Sequence, residues 1–252
     1  MKEERYFYVP DANDTNELPQ EEAVHATRVL RLTEGDEIFL MDGKGTFFRA
    51  EITMASNKRC SYSIVESLPQ EPLWTGHIHL AMAPTKMMER VEWFAEKATE
   101  IGCDEFSFLE CKFSERRNMR QDRVDKIVVG ATKQSRKAWK PIVNPLTSFK
   151  QFIDEERPGL KLIAHCHEDE GRQDLYNLLN AACDGNESRL SQKDALSSGV
   201  TILIGPEGDF SPEELSYALE HGYQSISLGR SRLRTETAAL SAVMTTQLLL
   251  RK

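Results

Sequence analysis

Two glycine-bracketed loops, each set between a short apolar stretch and a helix-starting sequence, hold the residues best able to do chemistry. In the first, the apolar run 200–204 leads into Gly205-Pro206-Glu207-Gly208-Asp209-Phe210, followed by Ser211-Pro212-Glu213-Glu214. Glycine lets a backbone come close to a ligand, and in parallel α/β sheets ligands sit at the carboxyl ends of strands. Ser211 is predicted to cap a helix that has Pro212 at its first position and Glu214 as the reciprocal partner. In the second, Gly229-Arg230-Ser231-Arg232-Leu233-Arg234 follows the apolar run 225–228 and opens into Thr235-Glu236-Thr237-Ala238, with Thr235 as the expected N-cap. Three arginines at alternate positions beside a helix start suit an anionic substrate backbone; a solvated basic loop is the other reading. There is neither a Gly-x-Gly-x-x-Gly nor a Gly-x-x-x-x-Gly-Lys-Ser/Thr sequence, so a ligand of these loops is held in some other way.

The elements that must position these loops fall into two textures. Residues 1–72 read as short strands at 5–9, 37–42, 46–54 and 58–66 with one helical stretch at 21–30, a small β-rich unit. Asp42-Gly43-Lys44-Gly45 supplies the positive-φ positions of a tight turn between two of those strands. The proline-flanked link Leu68-Pro69-Gln70-Glu71-Pro72 marks a boundary, and residues 73–252 form a second domain. There, strands at 77–83, 105–109, 160–166, 200–204 and 225–228 alternate with helical periodicity, beginning with a helix at 87–101. This is the pattern of an α/β fold with a mostly parallel sheet covered on both faces. The polar, aperiodic stretch 184–198 reads as a surface loop.

A chain of 252 residues with 40% hydrophobic side chains and a net charge of −8 is a folded globular protein and not a disordered one. No apolar run approaches the roughly 18 residues of a spanning helix, and the charged start Met1-Lys2-Glu3-Glu4-Arg5 lacks the apolar core of a secretory signal; a cytoplasmic protein with no membrane partner is expected. The five cysteines are scattered without a Cys-x-x-Cys pair, which argues against a disulfide framework and a structural zinc site. His165 and His167 would share one face of a strand, yet the acids that follow them favour a solvated loop, and no metal is expected. Charge is uneven along the chain: residues 112–140 hold ten basic side chains against three acids. That segment, with Arg116, Arg120, Arg123 and Arg136 and with Trp139 as a stacking plane, is the best RNA-contact candidate, a solvated basic helix face being the alternative.

Taken together, Ile204-Gly205-Pro206-Glu207-Gly208-Asp209-Phe210-Ser211 and Leu228-Gly229 with Leu233-Arg234-Thr235-Glu236-Thr237-Ala238 resemble the signature of the SPOUT superfamily of S-adenosylmethionine-dependent RNA methyltransferases. More narrowly, they resemble its 16S ribosomal RNA uracil-N3 methyltransferase family. Arg5-Tyr6-Phe7-Tyr8-Val9, His25 to Leu32, and Gly35-Asp36 through Asp42-Gly43 are similar to that family's PUA-like β-barrel. Lys97 to Gly102, Ser114-Glu115-Arg116 and Gln134-Ser135-Arg136 are similar to its central motifs. The resemblance implies a carboxyl-terminal trefoil knot, an exception to the usual absence of knots. It implies a donor site made of Leu203, Gly205, Glu207 and Gly208 from one knot loop and Leu228, Gly229, Leu233, Thr237 and Ala238 from the other, with Ala164 and His165 as the third wall. It also implies a homodimer, with 16S ribosomal RNA of the small subunit as substrate, and RNA contacts from Arg5, Arg28 and Arg31 of the barrel.

Uracil N3 bears a proton, and the ring oxygens gain negative charge as it leaves. A nearby cation would therefore stabilise the transition state more than the ground state. Arg234 is the first candidate and Lys86 the second. Glu207 is the carboxylate inside the signature loop that could act as general base, or that could simply cap neighbouring backbone amides. Two departures from the family pattern stand out: Lys133 where an acid precedes the glutamine, and Asp209 where glycine is common. Three other readings remain open at this point: an RNA-binding protein that keeps the knot without catalysis, a SPOUT methyltransferase acting on a different RNA base or ribose, and a phosphoryl-group enzyme using the Gly205 loop as an anion cradle. The missing P-loop lysine counts against the last.

Overall fold

The computed structural model describes residues 4–56, 58–167, 171–183 and 190–252. The chain divides into two compact units, residues 1–72 with 129–140 and residues 73–128 with 141–252.

The first unit is built on a four-stranded sheet in the order β1 (Tyr6–Tyr8), β2 (Glu37–Met41), β3 (Thr46–Ala55), β4 (Cys60–Pro69), with β1 parallel to β2 and the rest antiparallel. Alternation along the strands sends Ile38 and Leu40, then Phe48, Ala50 and Ile52, then Cys60 and Tyr62, into one apolar core with Phe7 and Val9. The β2–β3 turn forms as the sequence requires. Gly43 and Gly45 take φ of 71° and 112°, and the Asp42 carboxylate accepts the amides of Lys44 and Thr46. The expected helix at 21–30 is a short α-helix, α1 (Gln20–Val24), running on into a π-helical turn at His25–Val29.

The second unit is a seven-stranded sheet among the described residues, in which every pairing is parallel. Its order is β7 (Ile142–Ser148), β6 (Glu105–Glu110), β5 (Ile78–Met82), β10 (Val200–Ile204), β8 (Leu160–Ala164), β11 (Gln224–Ser227), β9 (Gln173–Asp174). The central strands β5 and β10 are buried at every position, as continuous apolar runs in a doubly covered sheet should be. One face, carrying Ile78, Leu80, Val200, Ile202 and Ile204, packs against helices α2 (Met88–Ile101), α5 (Leu175–Cys183) and α8 (Thr235–Leu250). The opposite face, carrying Ala81, Ile163 and Leu203, packs against α4 (Phe149–Asp154) and α7 (Pro212–Glu220). Helix α2 buries Val91, Phe94, Ala95 and Ala98, the spacing of one helical stripe. Helix α3 (Gln121–Gln134) adds Val124 and Val128 to the same core.

Three expectations are corrected. Of the stretch 184–198, expected to be a loop, residues 184–189 lie outside the described residues and Leu190–Ser198 is a helix, α6. Leu196 is deeply buried, and Gly199 ends the helix at φ 141° by donating to the carbonyls of Ala195 and Leu196. Its sequence is mostly polar and leaves little apolar periodicity to read. Strand β7 has no counterpart among the expected strands because Pro145 interrupts its pattern, and the structure tolerates that proline by placing the strand at the sheet edge. Thr235 is the first residue of α8 and not its cap; Arg234 holds the cap position without a side-chain bond. No helix among the described residues is long and apolar enough to cross a membrane.

Candidate functional site

The two signature loops meet because parallel pairing aligns the strands they leave. Ile204 lies opposite Met82 on one side and Ala164 on the other, and Ala164 in turn lies opposite Ile226. The chain therefore departs from β8, β10 and β11 along one edge, and there it encloses a cleft of about 840 Å³.

The first loop is held rigidly by its own polar groups. Ser211 and Glu214 form the capping box in full, with Pro212 in the first turn of α7. Asp209 adopts φ 66°, which explains why glycine suits this position. Its carboxylate compensates by accepting the amides of Cys166 at 2.7 Å and Phe210 at 2.8 Å. Glu207 accepts the amide of Lys86 at 3.0 Å, tying the loop to the chain leaving β5. At Gly205 an added Cβ would stand 3.1 Å from the Phe210 nitrogen, so a side chain there would push the loop out of place. In the second loop Gly229 has φ 107° and open space where a Cβ would stand. His165, the residue after β8, is buried and bonded to the Ser225 hydroxyl at 3.0 Å.

Of the residues expected to hold a methyl donor, Ala164, His165, Gly205, Glu207, Gly208, Leu228, Gly229, Leu233 and Ala238 line this cleft. Two do not. Leu203 is wholly buried on the opposite face of the sheet beside Phe210 and Ala218, because the pleat turns it away from its neighbour Ile204. Thr237 lines a second cavity, of about 570 Å³, that adjoins the first and shares Arg90, Arg232, Leu233, Arg234 and Glu236 with it.

Among the candidates for catalysis, Arg234 lines both cavities. Its guanidinium, like those of Arg230 and Arg232, is exposed and has no hydrogen-bond or ion-pair partner among the described residues. Lys86 is different: its ammonium pairs with Glu115 at 2.8 Å on the surface, and that carboxylate raises its pKa. It does not line the cleft. Glu207 uses one carboxylate oxygen on the Lys86 amide, the capping role. One residue escaped sequence reasoning altogether. Glu236 is buried at the start of α8, 3.6 Å from the Arg90 guanidinium, with Oε2 unpartnered among the described residues. Only the unassigned glutamate within Leu233-Arg234-Thr235-Glu236-Thr237-Ala238 hinted at it.

The basic segment looks less like a free RNA face once its partners are named. Arg116 donates to the carbonyls of Thr85 at 3.0 Å and Lys86 at 2.6 Å, clasping the chain that leaves β5. Arg120 pairs with Asp122, and Arg123 with Glu92 at 2.6 Å. Within the first unit Arg136 pairs with Glu4 and stacks over Tyr6, and Lys133 pairs with Glu22. Trp139 lies against Gly45. Arg5 and Arg28 belong to the first unit, as does Arg31, which is exposed at φ 55° where the helical turn ends. Among the described residues no group of three His, Cys, Asp or Glu is arranged to hold a metal; the acids at 168–170, after His167, lie outside the described residues.

The residues present fit a nucleoside donor. Ile204, Ile226, Leu228 and Leu233 give the cleft apolar walls, backbone groups at the strand ends supply polar contacts, and Gly229 leaves room beside them.

A family model described as an RNA methyltransferase domain matches residues 71–247, and one described as an RNA methyltransferase PUA domain matches residues 18–65. The chain is 30% identical to the ribosomal RNA small subunit methyltransferase E of Rickettsia conorii, over 94% of this chain and 91% of that one. Its fold is similar to the crystal structure of a probable rRNA-methyltransferase from Porphyromonas gingivalis, with TM-score 0.84, 40% identity and 98% of each chain covered. It is also similar to the ribosomal RNA small subunit methyltransferase E from Neisseria gonorrhoeae bound to S-adenosyl methionine, with TM-score 0.81, 25% identity and 98% of each chain covered.

Proposed function

The chain belongs to the RNA methyltransferase family whose domain spans residues 71–247, and from that membership we propose that it methylates N3 of a uracil in 16S ribosomal RNA of the small subunit, with S-adenosylmethionine as donor. The observation that carries this reading is the cleft at the carboxyl ends of β8, β10 and β11, walled by both signature loops. Gly205, Gly208, Leu228, Gly229, Leu233 and Ala238, with Ala164 and His165, would hold the donor. When bound, that donor supplies a methyl group on a positive sulfur, ready for in-line displacement.

The protein's task is then to align the acceptor and to offset the charge that develops on it. Arg234, without a partner among the described residues and lining both cavities, suits the negative charge that builds on the uracil oxygens. Arg230 and Arg232 on the same loop suit the RNA backbone. Lys86 and Glu207 have no part in this assignment, since each is engaged elsewhere. We take residues 1–72, with Arg5, Arg28 and Arg31, as the RNA-orienting PUA-like domain and residues 73–252 as the catalytic SPOUT domain, corrected in that residues 129–140 pack with the first unit. The insertion of β10 between β5 and β8, with α8 packed back on β5 and β10, supports a trefoil knot through the two loops. Closure of the first unit into a barrel is supported by the bridge from Glu17 to Ser61 on the outer strand. Exposed Met244 and Leu248 on α8 support a homodimer, and a ribosomal substrate fits a cytoplasmic enzyme.

The test is transfer of labelled methyl from S-adenosylmethionine to small ribosomal subunits lacking the modification, followed by nucleoside analysis. Labelled 3-methyluridine is the expected product. Label on another nucleoside, or donor binding without label, would overturn the assignment of base and substrate.

A further inference from the structure

A methyl acceptor must lie against the donor, so the acceptor site has to be continuous with the donor cleft. The smaller cavity meets that condition, lying between α2 and the start of α8 and sharing Arg90, Arg232, Arg234 and Glu236 with the larger one. Building on the proposed function, we infer that this cavity is the acceptor-base pocket, in which Glu236 takes the proton from an imide N–H, flanking arginines hold the two neighbouring carbonyls, and Trp93 stacks the ring.

Three observations carry the inference. Glu236 is a carboxylate with a side chain 9% exposed and an oxygen that has no partner among the described residues. Leaving such an oxygen dry and unbonded is costly, and it persists where a ligand completes it. The other carboxylates lining the larger cleft are engaged, Glu207 by the Lys86 amide and Asp209 by the amides of Cys166 and Phe210. Next, the side chains around Glu236 are cationic. Arg90 stands 3.6 Å away, and Arg232 and Arg234 line the same cavity without partners among the described residues. The set reads donor, acceptor, donor, the complement of a base edge that presents carbonyl, N–H, carbonyl. Uracil has that edge at O2, N3 and O4. Cytosine has a lone pair at N3, which the carboxylate would repel. Finally, Trp93 is 44% exposed on the wall of this cavity, a large aromatic face left open to solvent where an unstacked base needs a platform.

The chemistry balances. The N3 proton passes to a Glu236 oxygen, and the electron pair of the broken N–H bond forms the new N3–C bond to the methyl carbon. The C–S pair stays on sulfur, which leaves as a neutral thioether. One negative and one positive charge are consumed together, so Glu236 ends protonated and later releases the proton to solvent.

Full-length Glu236→Gln, Glu236→Asp, Trp93→Ala and Trp93→Phe variants test this by single-turnover methylation of small ribosomal subunits lacking the modification, with donor affinity measured separately by calorimetry. Glu236→Gln is expected to slow transfer by about 10²- to 10⁴-fold, the range for removal of a general base. Its donor affinity should stay near wild type, and Glu236→Asp should recover part of the rate. Trp93→Ala should raise the subunit concentration needed for half-maximal rate, with Trp93→Phe restoring it and donor affinity unchanged in both. Transfer by Glu236→Gln at the wild-type rate, or loss of donor affinity along with rate, would overturn the inference. A wild-type protein that makes no 3-methyluridine would instead overturn the proposed function, a separate result.

Discussion

Arg234 ends the second loop with its carbonyl accepting the Ala238 amide in the first turn of α8 and its guanidinium without a partner among the described residues. Its backbone is thus fixed by the helix while its charge stays available, which suits a group that must meet charge as it develops. Arg234→Ala should lower the transfer rate by about 10²- to 10³-fold, as removing one well-placed donor does, with donor affinity kept. Lys86→Ala, which removes an exposed pair with Glu115, should change the rate little; a loss like that of Arg234→Ala would reinstate Lys86. The place of Arg234 at a helix start was legible in the sequence because it is a local property. Glu236 was not legible, because nothing local says which carboxylate will be left without a partner; that is settled by Arg90 on a helix more than a hundred residues earlier in the chain.

At the scale of elements, the loop between β10 and α7 rests on a cap that the sequence spells out in Ser211, Pro212 and Glu214. Ser211 is fully buried, accepting from the Glu214 amide while Glu214 accepts from its own. Ser211→Ala should cost about 1–2 kcal/mol of stability, read as a lowered denaturant midpoint; an unchanged midpoint would mean the cap contributes nothing. A pH effect belongs to another part of the sheet, where His79 of β5 is buried and bonded to the Ser107 hydroxyl of β6 at 2.8 Å. Burial holds its imidazole below the ordinary range. The unfolded chain therefore takes up a proton first as pH falls, and the contribution of neutral His79 is lost on acidification from about pH 6.5 downward. Neighbouring His77, raised by its bond to Glu105, works in the opposite direction. Comparing thermal midpoints across pH 7 to 4.5 isolates His79: His79→Gln should flatten the acid-side decline, and parallel curves would refute the assignment. Helix α6 and strand β7 escape reading from sequence because one is mostly polar, with little apolar periodicity, and the other carries a proline that only an edge strand accommodates.

Across the whole molecule, charge explains how a chain of net −8 can serve an RNA substrate. Much of its positive charge is tied up: Lys112 by Glu213, Arg117 by Glu110, Arg120 by Asp122 and Arg123 by Glu92. The loop 229–234 keeps its arginines without partners among the described residues, beside the cleft. Replacing Arg230 and Arg232 with glutamine should weaken RNA binding and lower the slope of log affinity against log salt by about 0.7–0.9 for each phosphate no longer neutralised, whereas Arg120→Gln should leave the slope nearly unchanged. The reverse ranking would return the RNA face to residues 112–140. Composition and periodicity could show ten basic residues in that segment but not their partners, since ion pairs such as Lys112 with Glu213 join positions a hundred residues apart. What the sequence determined by itself was local: the buried strands, the glycine loops and the capping box, each set by neighbouring side chains and backbone freedom. Only the tertiary structure decided the rest. Pleating sent Leu203 to the opposite face from Ile204, parallel register brought the loops after β10 and β11 to one cleft, and long-range pairing chose which charges were engaged and which, the Arg234 guanidinium and one Glu236 oxygen among them, have no partner among the described residues.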